Sequence, residues 1–310
     1  MRGILAAVLA SVIWGLSPIF YAQLNHVPPL ELLAHRVGWG FLVVGLYCAA
    51  TGRLPRVAEA LGNARTLAAL TVSAALISLN WFGFLWGIQA GRAMEAGLGY
   101  YIMPLVAVAL GVAFLGERLS RRQWLAVSLA LVAVAVLAIG LGRAPWLALG
   151  LAVSFALYGL VRRQVSTGPI VGFFVETVLI VPAAVVWIWG VETQGWTGPT
   201  GREGALFGTD WKTTALLVLS GPLTSVPLIL FAEAARSMPL SRVGLVQYIN
   251  PSLQVAVAGL VLGEMFTPWH GVALVLIWAR LGLFSSEIFR QERASPSASI
   301  SSSTVSKTLR

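Results

Sequence analysis

The chain has 310 residues, of which 57% are hydrophobic and 11% are charged, and its mean hydropathy is +0.82. Soluble domains carry roughly 25% charged residues, so this composition excludes an ordinary soluble protein and predicts an integral membrane protein. At ~20 residues per crossing, ten apolar helices fit within the length and leave no room for a soluble domain.

Charge, cysteine and histidine exclude several other classes. The formal net charge is +9, but the basic residues are dispersed among apolar segments, so we interpret the charge as membrane orientation and expect no nucleic-acid partner. Cys48 is alone in an apolar run, so no disulfide framework is expected. The histidines, His26, His35 and His270, are far apart, and neither a metal site nor a cofactor is expected.

The predicted elements are apolar spans joined mostly by short connections. Residues 3–22 are predicted to be a retained helix and not a signal peptide, because only Arg2 precedes the span and no cleavage site follows. We expect residues 191–211 to form an exposed loop and the Ser-rich tail 291–310 to be disordered. The other spans are predicted at about 30–50, 66–89, 94–115, 122–141, 145–164, 169–190, 212–234, 241–262 and 268–286.

The distribution of basic residues orients the chain. With the N-terminus inside, the inner segments hold 15 of the 21 lysines and arginines, and two arginines, Arg36 and Arg280, lie within spans. We therefore predict that the protein lies in the inner (plasma) membrane with both termini in the cytoplasm. The outer segments hold only Arg92, Arg143, Arg202 and Lys212.

One stretch occurs twice. Residues 97–117 (GLGYYIMPLVAVALGVAFLGE) and 244–264 (GLVQYINPSLQVAVAGLVLGE) align without a gap, with 10 of 21 positions identical. The repeat predicts two copies, residues 1–142 and 143–290. Five spans per copy is an odd number, so the second copy is predicted to be inverted in the membrane, an architecture typical of secondary transporters.

Each copy of this stretch is predicted to be a broken helix. Pro104 and Pro251 remove a backbone donor near the middle, so we expect hinges there, facing protein or a watery cavity. Gly116 and Gly263 are expected as C-cap glycines. The acids that follow, Glu117 and Glu264, are expected to accept hydrogen bonds from the start of the next helix.

Together these features resemble the EamA-type branch of the drug/metabolite transporter superfamily, and its RarD group in particular. The resemblance implies ten transmembrane helices as two inverted five-helix repeats, and an inner-membrane permease that moves small organic solutes by alternating access. It implies no catalytic residue. The stretches that carry it are Trp14-Gly15, His35-Arg36, Asn80-Trp81, Glu95-Ala96, Leu98-Gly99-Tyr100, Leu115-Gly116-Glu117-Arg118, Tyr158-Gly159-Leu160-Val161-Arg162, Glu176-Thr177, Val226-Pro227 and Gln247-Tyr248-Ile249.

Ionisable residues within spans are the candidates for coupling or gating. His35 and Arg36 lie one to two turns into the second span, and Glu176 lies at the equivalent of His35 in the inverted seventh span. We hypothesise that Arg36 or protonated His35 meets Glu176 in a central cavity, because a charge within a span costs roughly 2.5–3.5 kcal/mol and needs a partner or water. A structural pair or a boundary residue is the alternative. Intramembrane His and Glu favour protons as the coupling ion.

Deep aromatic and amide side chains are the candidates for solute binding. Their polar tips near helix breaks suit a cavity wall, with lipid contact or helix–helix hydrogen bonding as the alternatives. The candidate residues are Trp14, Asn80, Trp81, Tyr101, Tyr158, Gln247, Tyr248 and Asn250.

The predicted function is secondary transport of small organic solutes such as amino acids, metabolites or drugs. A passive channel and a membrane enzyme are the alternatives. Lys212 and Lys307, the two lysines, lie outside any phosphate-binding loop, which argues against ATP-driven pumping. The chain carries no spaced nucleophile–histidine or zinc-protease motif, so no enzyme is expected. The predicted partners are the solute and the lipid bilayer, and the sequence does not predict an oligomeric state.

Overall fold

The computed structural model describes residues 2–115, 145–237 and 246–272, together with scattered positions within 124–139 and 274–279. Within these ranges every regular element is a helix, and no strand occurs. The predicted boundary between the copies at 142 and 143, and the predicted tail 291–310, lie outside them.

The chain forms two compact units. The larger comprises Met1–Glu117 and Pro145–Phe266 and holds the first four predicted spans of each copy. The smaller comprises Arg118–Ala144 and Thr267–Arg310, which include the fifth predicted span of each copy. In the smaller unit, the described positions between 124 and 139 are helical.

Nine helices are described from end to end, all in the larger unit. They are α1 (Arg2–Ala22), α2 (Pro29–Ala50), α3 (Leu54–Gly62), α4 (Ala64–Gln89), α5 (Ala93–Leu115), α6 (Trp146–Arg163), α7 (Pro169–Gln194), α8 (Trp211–Ser237) and α9 (Ile249–Leu260).

Five of the described helices are long and apolar enough to cross a membrane. They lie within α1, α2, α4, α7 and α8, and α6 is a shorter apolar helix. Large apolar side chains on these helices are exposed, for example Leu46, which is 72% exposed, and Leu79, which is 62% exposed. A soluble monomer rarely exposes so much apolar surface, whereas lipid accommodates it.

Local sequence signals explain where several helices begin. Pro29 and Pro169 are the first residues of α2 and α7, a position where the missing proline N–H costs nothing. The Asn63 side chain caps α4 by accepting a hydrogen bond from the Thr66 N–H at 2.9 Å. Asp210 accepts the equivalent bond from the Thr213 N–H at 2.8 Å, immediately before α8.

Each of the most extensive helix–helix contacts has an equivalent contact, obtained when both helices are replaced by their counterparts in the other copy. Under the duplication α1 corresponds to α6, α2 to α7, α4 to α8, and α5 to α9. The contact of α1 with α8 is matched by that of α6 with α4, and α1 with α9 by α6 with α5. The contact of α2 with α8 is likewise matched by that of α7 with α4, while α2–α7 and α5–α9 pair with their own counterparts. This packing is what an approximate twofold axis produces.

Contacts at one end of the larger unit demonstrate the inversion. Gln89, at the end of α4, donates to the carbonyl of Val27 between α1 and α2 at 2.9 Å. His26 meets Thr213, near the start of α8, at 2.9 Å. This end therefore gathers the C-terminal ends of α1 and α4 and the start of α8. Since α8 is the counterpart of α4, the copies run in opposite directions, as predicted.

The two copies of the repeated stretch differ in continuity. The second is interrupted at Tyr248, three residues before Pro251, and α9 begins directly afterwards. The first is not broken, because α5 runs without interruption through Pro104. A one-residue interruption therefore accompanies Pro251 and none accompanies Pro104, and the hinge at each proline stays a prediction. Tyr248 itself keeps a helical backbone, with φ of −68° and ψ of −13°. A helix can carry one proline at the cost of one hydrogen bond.

The predicted C-cap glycine is observed in the second copy. Gly263 has φ of +70°, and the Glu264 N–H donates back to the Ala258 carbonyl at 3.0 Å. The bond spans six residues, one more than in the Schellman motif, and the chain reversal needs a left-handed residue, which glycine supplies without steric cost. Its counterpart, Gly116, lies outside the described residues.

We expect Gly221→Ala to destabilise the protein by about 1–3 kcal/mol through overpacking. A Cβ at Gly221 in α8 would lie 2.5 Å from the backbone N of Gly40 in α2, and backbone cannot step aside. The control is Gly38→Ala in α2, where nothing lies within 4 Å of the new Cβ. Thermal unfolding of the purified proteins in detergent measures both, and equal melting temperatures for the two variants would contradict the prediction.

Candidate functional site

The two copies of the repeated stretch meet at Tyr101 and Tyr248. These residues are equivalent under the duplication, and their rings stack with centroids 6.3 Å apart and planes 25° from parallel. The Tyr101 hydroxyl lies 2.6 Å from Ser252 Oγ, which donates to the Tyr248 carbonyl at 2.6 Å. The approximate twofold axis therefore passes close to a polar contact between α5 and the start of α9.

Two further predicted solute-binding residues lie beside this contact. Gln254 of α9 donates to the Asn250 side chain at 2.9 Å and to the Trp14 carbonyl at 3.5 Å. The Trp14 carbonyl is available because Pro18, four residues later in α1, has no N–H to donate. Gln247 Nε2 is also buried and has no partner among the described residues. We call the five residues Trp14, Tyr101, Gln247, Tyr248 and Asn250 the axial group.

Sequence reasoning missed Ser252 and Gln254, which organise the axial group. At an offset of 147 they correspond to Leu105 and Ala107, so they are polar in one copy only. A search for residues shared by both copies therefore overlooks them. Their spacing from Tyr248 and Asn250, four residues in each case, was the available signal, since it places each pair on one helical face.

Asn80 is committed to protein partners in this structure. Its Nδ2 donates to the Leu151 carbonyl at 2.9 Å and to Ser154 Oγ at 3.0 Å, and its Oδ1 accepts from the Tyr100 hydroxyl at 3.1 Å. Asn80 is 1% exposed. This is the helix–helix hydrogen bonding that the sequence left as the alternative, and a role of Asn80 in solute binding stays a prediction.

Glu176 lies at the centre of a buried polar cluster. Its side chain is fully buried and pairs with Arg162, Nε to Oε1, at 3.5 Å. Ser73 donates a hydrogen bond to Oε1, and the Tyr158 hydroxyl donates to Oε2 at 3.3 Å. The four residues come from α4, α6 and α7 and form what we call the Glu176 cluster. Tyr158 was predicted to bind solute, whereas Ser73 and Arg162 were not assigned to the site.

The predicted meeting of Arg36 or His35 with Glu176 is wrong for this structure. Arg36 and Glu176 each lie seven residues after the start of their helix, about 10 Å along its axis at 1.5 Å per residue. Because α2 and α7 start at opposite ends, these depths are counted from opposite sides of a core about 30 Å thick. The alignment that made the positions equivalent therefore also separates them, and Glu176 pairs with Arg162 instead.

Arg36 is enclosed by aromatic rings and lacks an acidic partner among the described residues. Its guanidinium carbon lies 4.6 Å from the ring centre of Trp81 and 5.4 Å from that of Tyr21. The residue is 6% exposed, and its Nε and Nη1 have no hydrogen-bond partner in the described part of the chain. Each cation–π contact contributes about 0.5–2 kcal/mol, which does not offset the several kcal/mol that burial of a charge costs.

The connection between α7 and α8 packs against α2. Phe207 stacks on His35 with ring centroids 4.8 Å apart, and Glu31 Oε1 accepts a hydrogen bond from the Leu206 N–H at 2.9 Å. Arg202 donates to the Asn25 carbonyl at 2.5 Å. Residues 195–210 therefore form a loop with exposed or half-buried residues, as predicted, and Glu31 and His35 near the start of α2 hold it in place.

Glu264 caps a helix, although not the one that was predicted. Its carboxylate accepts hydrogen bonds from the N–H groups of Ala93 at 2.5 Å and Met94 at 2.8 Å, at the start of α5. A carboxylate at a helix N-terminus is favoured by the dipole and by the free N–H groups. The helix it caps lies 170 residues earlier in the chain, so tertiary packing and not sequence proximity selects it. Glu117 lies outside the described residues.

Glu95 forms an ion pair and also caps a helix, at the end of the larger unit where α5 begins. It pairs with Arg92 at 2.6 Å, and its Oε1 also accepts a hydrogen bond from the Leu147 N–H at 3.0 Å at the start of α6. Among the described residues, no group of three His, Cys, Asp or Glu side chains is placed to hold a metal ion.

Comparison with known proteins agrees with this architecture. Residues 1–139 match the model of the EamA-like transporter family. A protein of Vibrio cholerae described as an uncharacterized transporter is 39% identical over 285 residues, which is 92% of each chain. Protein RarD of Escherichia coli is 36% identical over 295 residues, which is 95% of this chain and 97% of that one.

A protein of known crystal structure shares the fold. It superposes with a TM-score of 0.59 at 18% identity and covers 93% of this chain and 98% of its own. Identity over nearly the full length of several relatives, together with the inverted helix packing, establishes the family and a membrane location. The chain belongs to the EamA-like transporter family, in its RarD group, and is a multi-pass membrane transporter of the drug/metabolite type.

Proposed function

We propose that this chain is a secondary active transporter that exports small organic solutes by alternating access. The observation that carries the proposal is the stacking of Tyr101 on Tyr248, which joins equivalent segments of two inverted copies. The two inverted copies can each adopt the other's conformation. This exchange converts a state whose central cavity is open to one side of the membrane into a state open to the other side. The axial group is the proposed solute-binding region.

The residues beside this junction support a binding role. Gln247 carries a buried side-chain nitrogen without a partner among the described residues. A buried amide that lacks a hydrogen bond is costly, and a solute that accepts one would remove that cost. The helix is interrupted at Tyr248, next to the same residues, and the proposed hinge lies there.

Two alternatives make different predictions. A passive channel would equilibrate solute without accumulating it. A membrane enzyme would turn over a substrate chemically, whereas a transporter releases the same solute unchanged on the other side of the membrane. The intramembrane Glu176 favours protons as the driving ion, with its cluster as the proposed coupling site.

Solute counterflow in proteoliposomes tests the proposal. Vesicles that hold the purified protein are loaded with a panel of unlabelled amino acids and metabolites, and the entry of the same labelled solute is followed. Alternating access predicts transient accumulation above the outside concentration, which a channel does not produce. Equilibration without overshoot for every transported solute would overturn the proposal, and an imposed pH gradient separates proton coupling from exchange.

We propose that the protein lies in the inner membrane with both termini in the cytoplasm. The lone Cys48 is buried, so a Cys48→Ala background accepts single reporter cysteines. Glu203→Cys, in the loop after α7, should react with a membrane-impermeant maleimide in intact cells. Glu59→Cys, in α3, is the matched position on the opposite side and should react only after permeabilisation, since both side chains are exposed. The reverse pattern would contradict the orientation.

A further inference from the structure

Arg36 is the buried charge that the Glu176 cluster does not explain. The residue is 6% exposed, and its guanidinium lies against the rings of Trp81 and Tyr21. Its Nε and Nη1 have no hydrogen-bond partner in the described ranges. Aromatic rings contact a guanidinium without accepting its N–H hydrogen bonds in the way a carboxylate does, so these donors stay available.

No buried acid of the described ranges forms an ion pair with Arg36. Glu176 pairs with Arg162, and Glu95 pairs with Arg92. Glu31, five residues before Arg36, accepts a hydrogen bond from the Leu206 N–H through Oε1, and its Oε2 has no partner in the described ranges, so it is not paired with Arg36. The cation is therefore enclosed without an anion, an arrangement whose cost is removed when an anion arrives.

We propose that Arg36 binds the carboxylate of the transported solute, with the surrounding aromatic rings receiving its apolar body. The inference rests on the proposed transport function and adds the chemical class of the solute, an organic acid or zwitterion. A guanidinium presents planar N–H donors that match a carboxylate or a phosphate. The ring cage of Trp81 and Tyr21 favours a solute with an apolar portion next to its acid group.

Thermal unfolding of the purified protein in detergent tests the site directly. Sodium phenylacetate is the probe, and neutral phenylacetamide is its isosteric control, at ionic strength matched with sodium chloride. A ligand that binds the folded state raises Tm with concentration. We expect phenylacetate and not phenylacetamide to raise Tm, and Arg36→Met to abolish the rise or weaken half-saturation by about tenfold or more, as loss of a charged hydrogen bond implies.

A second measurement separates binding from a structural role. Because Arg36 is unpaired in the described structure, Arg36→Met without ligand should melt at the same temperature as the wild type or higher. A structural role predicts a lower Tm instead, as is expected for Arg162→Met. Arg36→Lys keeps the charge and should retain a reduced response to phenylacetate, since an ammonium lacks the planar donors.

Each contrary outcome overturns the proposal. These are no Tm rise with phenylacetate, an equal rise in Arg36→Met, or a larger Arg36-dependent rise with inorganic phosphate, which would assign the site to a phosphate or a lipid headgroup. A counterflow measurement on Arg36→Met distinguishes failure of this inference from failure of the transport proposal. A solute that shows counterflow equally in the wild type and in Arg36→Met leaves transport standing and removes Arg36 from recognition.

Discussion

Arg162→Met is expected to lower the free energy of unfolding by about 3–5 kcal/mol, the loss found when one member of a buried ion pair is removed. The reason is that Glu176 is fully buried, and Arg162 is its cationic partner. The hydrogen bonds from Ser73 and Tyr158 would remain but carry no charge. The variant therefore leaves an uncompensated carboxylate among α4, α6 and α7.

Thermal unfolding in detergent, with the fraction folded followed by circular dichroism, provides the measurement. The double variant Arg162→Met with Glu176→Leu should recover most of the loss, because neither charge remains buried. Arg92→Met is the matched control, since its partner Glu95 keeps the hydrogen bond from Leu147 and the pair is partly exposed. Its cost should be smaller than that of Arg162→Met, because the Arg92 side chain is 23% exposed and solvent screens the pair. Equal losses for Arg162→Met and Arg92→Met would contradict the assignment.

A disulfide between α5 and α9 is expected to abolish counterflow. The pair is Gly97→Cys with Val255→Cys in a Cys48→Ala background. A Cβ at Gly97 would lie 3.1 Å from Val255 Cγ2, which places the two new sulfurs within bonding reach. The bond joins the two copies next to the Tyr101–Tyr248 contact, so it should prevent them from rearranging against each other. Reduction with dithiothreitol should restore transport.

The control disulfide lies within one copy. Gly87→Cys with Ala96→Cys joins α4 to α5, where a Cβ at Gly87 would lie 3.7 Å from Ala96 Cβ. This bond leaves the copies free to move relative to each other, so counterflow should persist after oxidation. Full counterflow through a completely oxidised Gly97→Cys/Val255→Cys protein would argue for a static path and against alternating access.

The duplication carried most of what could be predicted. The matching Tyr-Ile-x-Pro and Leu-Gly-Glu segments implied two copies, and an odd number of spans per copy implied inversion. Both follow from covalent connectivity and hydrophobic length, which belong to the sequence. The contact of Tyr101 with Tyr248 agrees with them, since equivalent residues near a twofold axis lie close together.

Polar partnerships were predicted less well, and for a common reason. Arg36 or His35 was paired with Glu176 because the alignment made His35 and Glu176 equivalent, yet equivalence under inversion places them at opposite depths. Glu264 was predicted to cap the next helix and instead caps α5, which packing brings to the same end. A sequence identifies a side chain that needs a partner but not which distant helix supplies it.

The sequence by itself determined the membrane setting, the helical class and the inverted duplication, because apolar length and repetition are local properties of the chain. Only the tertiary structure decided that Glu176 is neutralised by Arg162 while Arg36 is left among aromatic rings. The physical reason is that Coulomb and hydrogen-bond energies depend on separations of a few ångströms, and those separations are set by how helices far apart in the chain pack together.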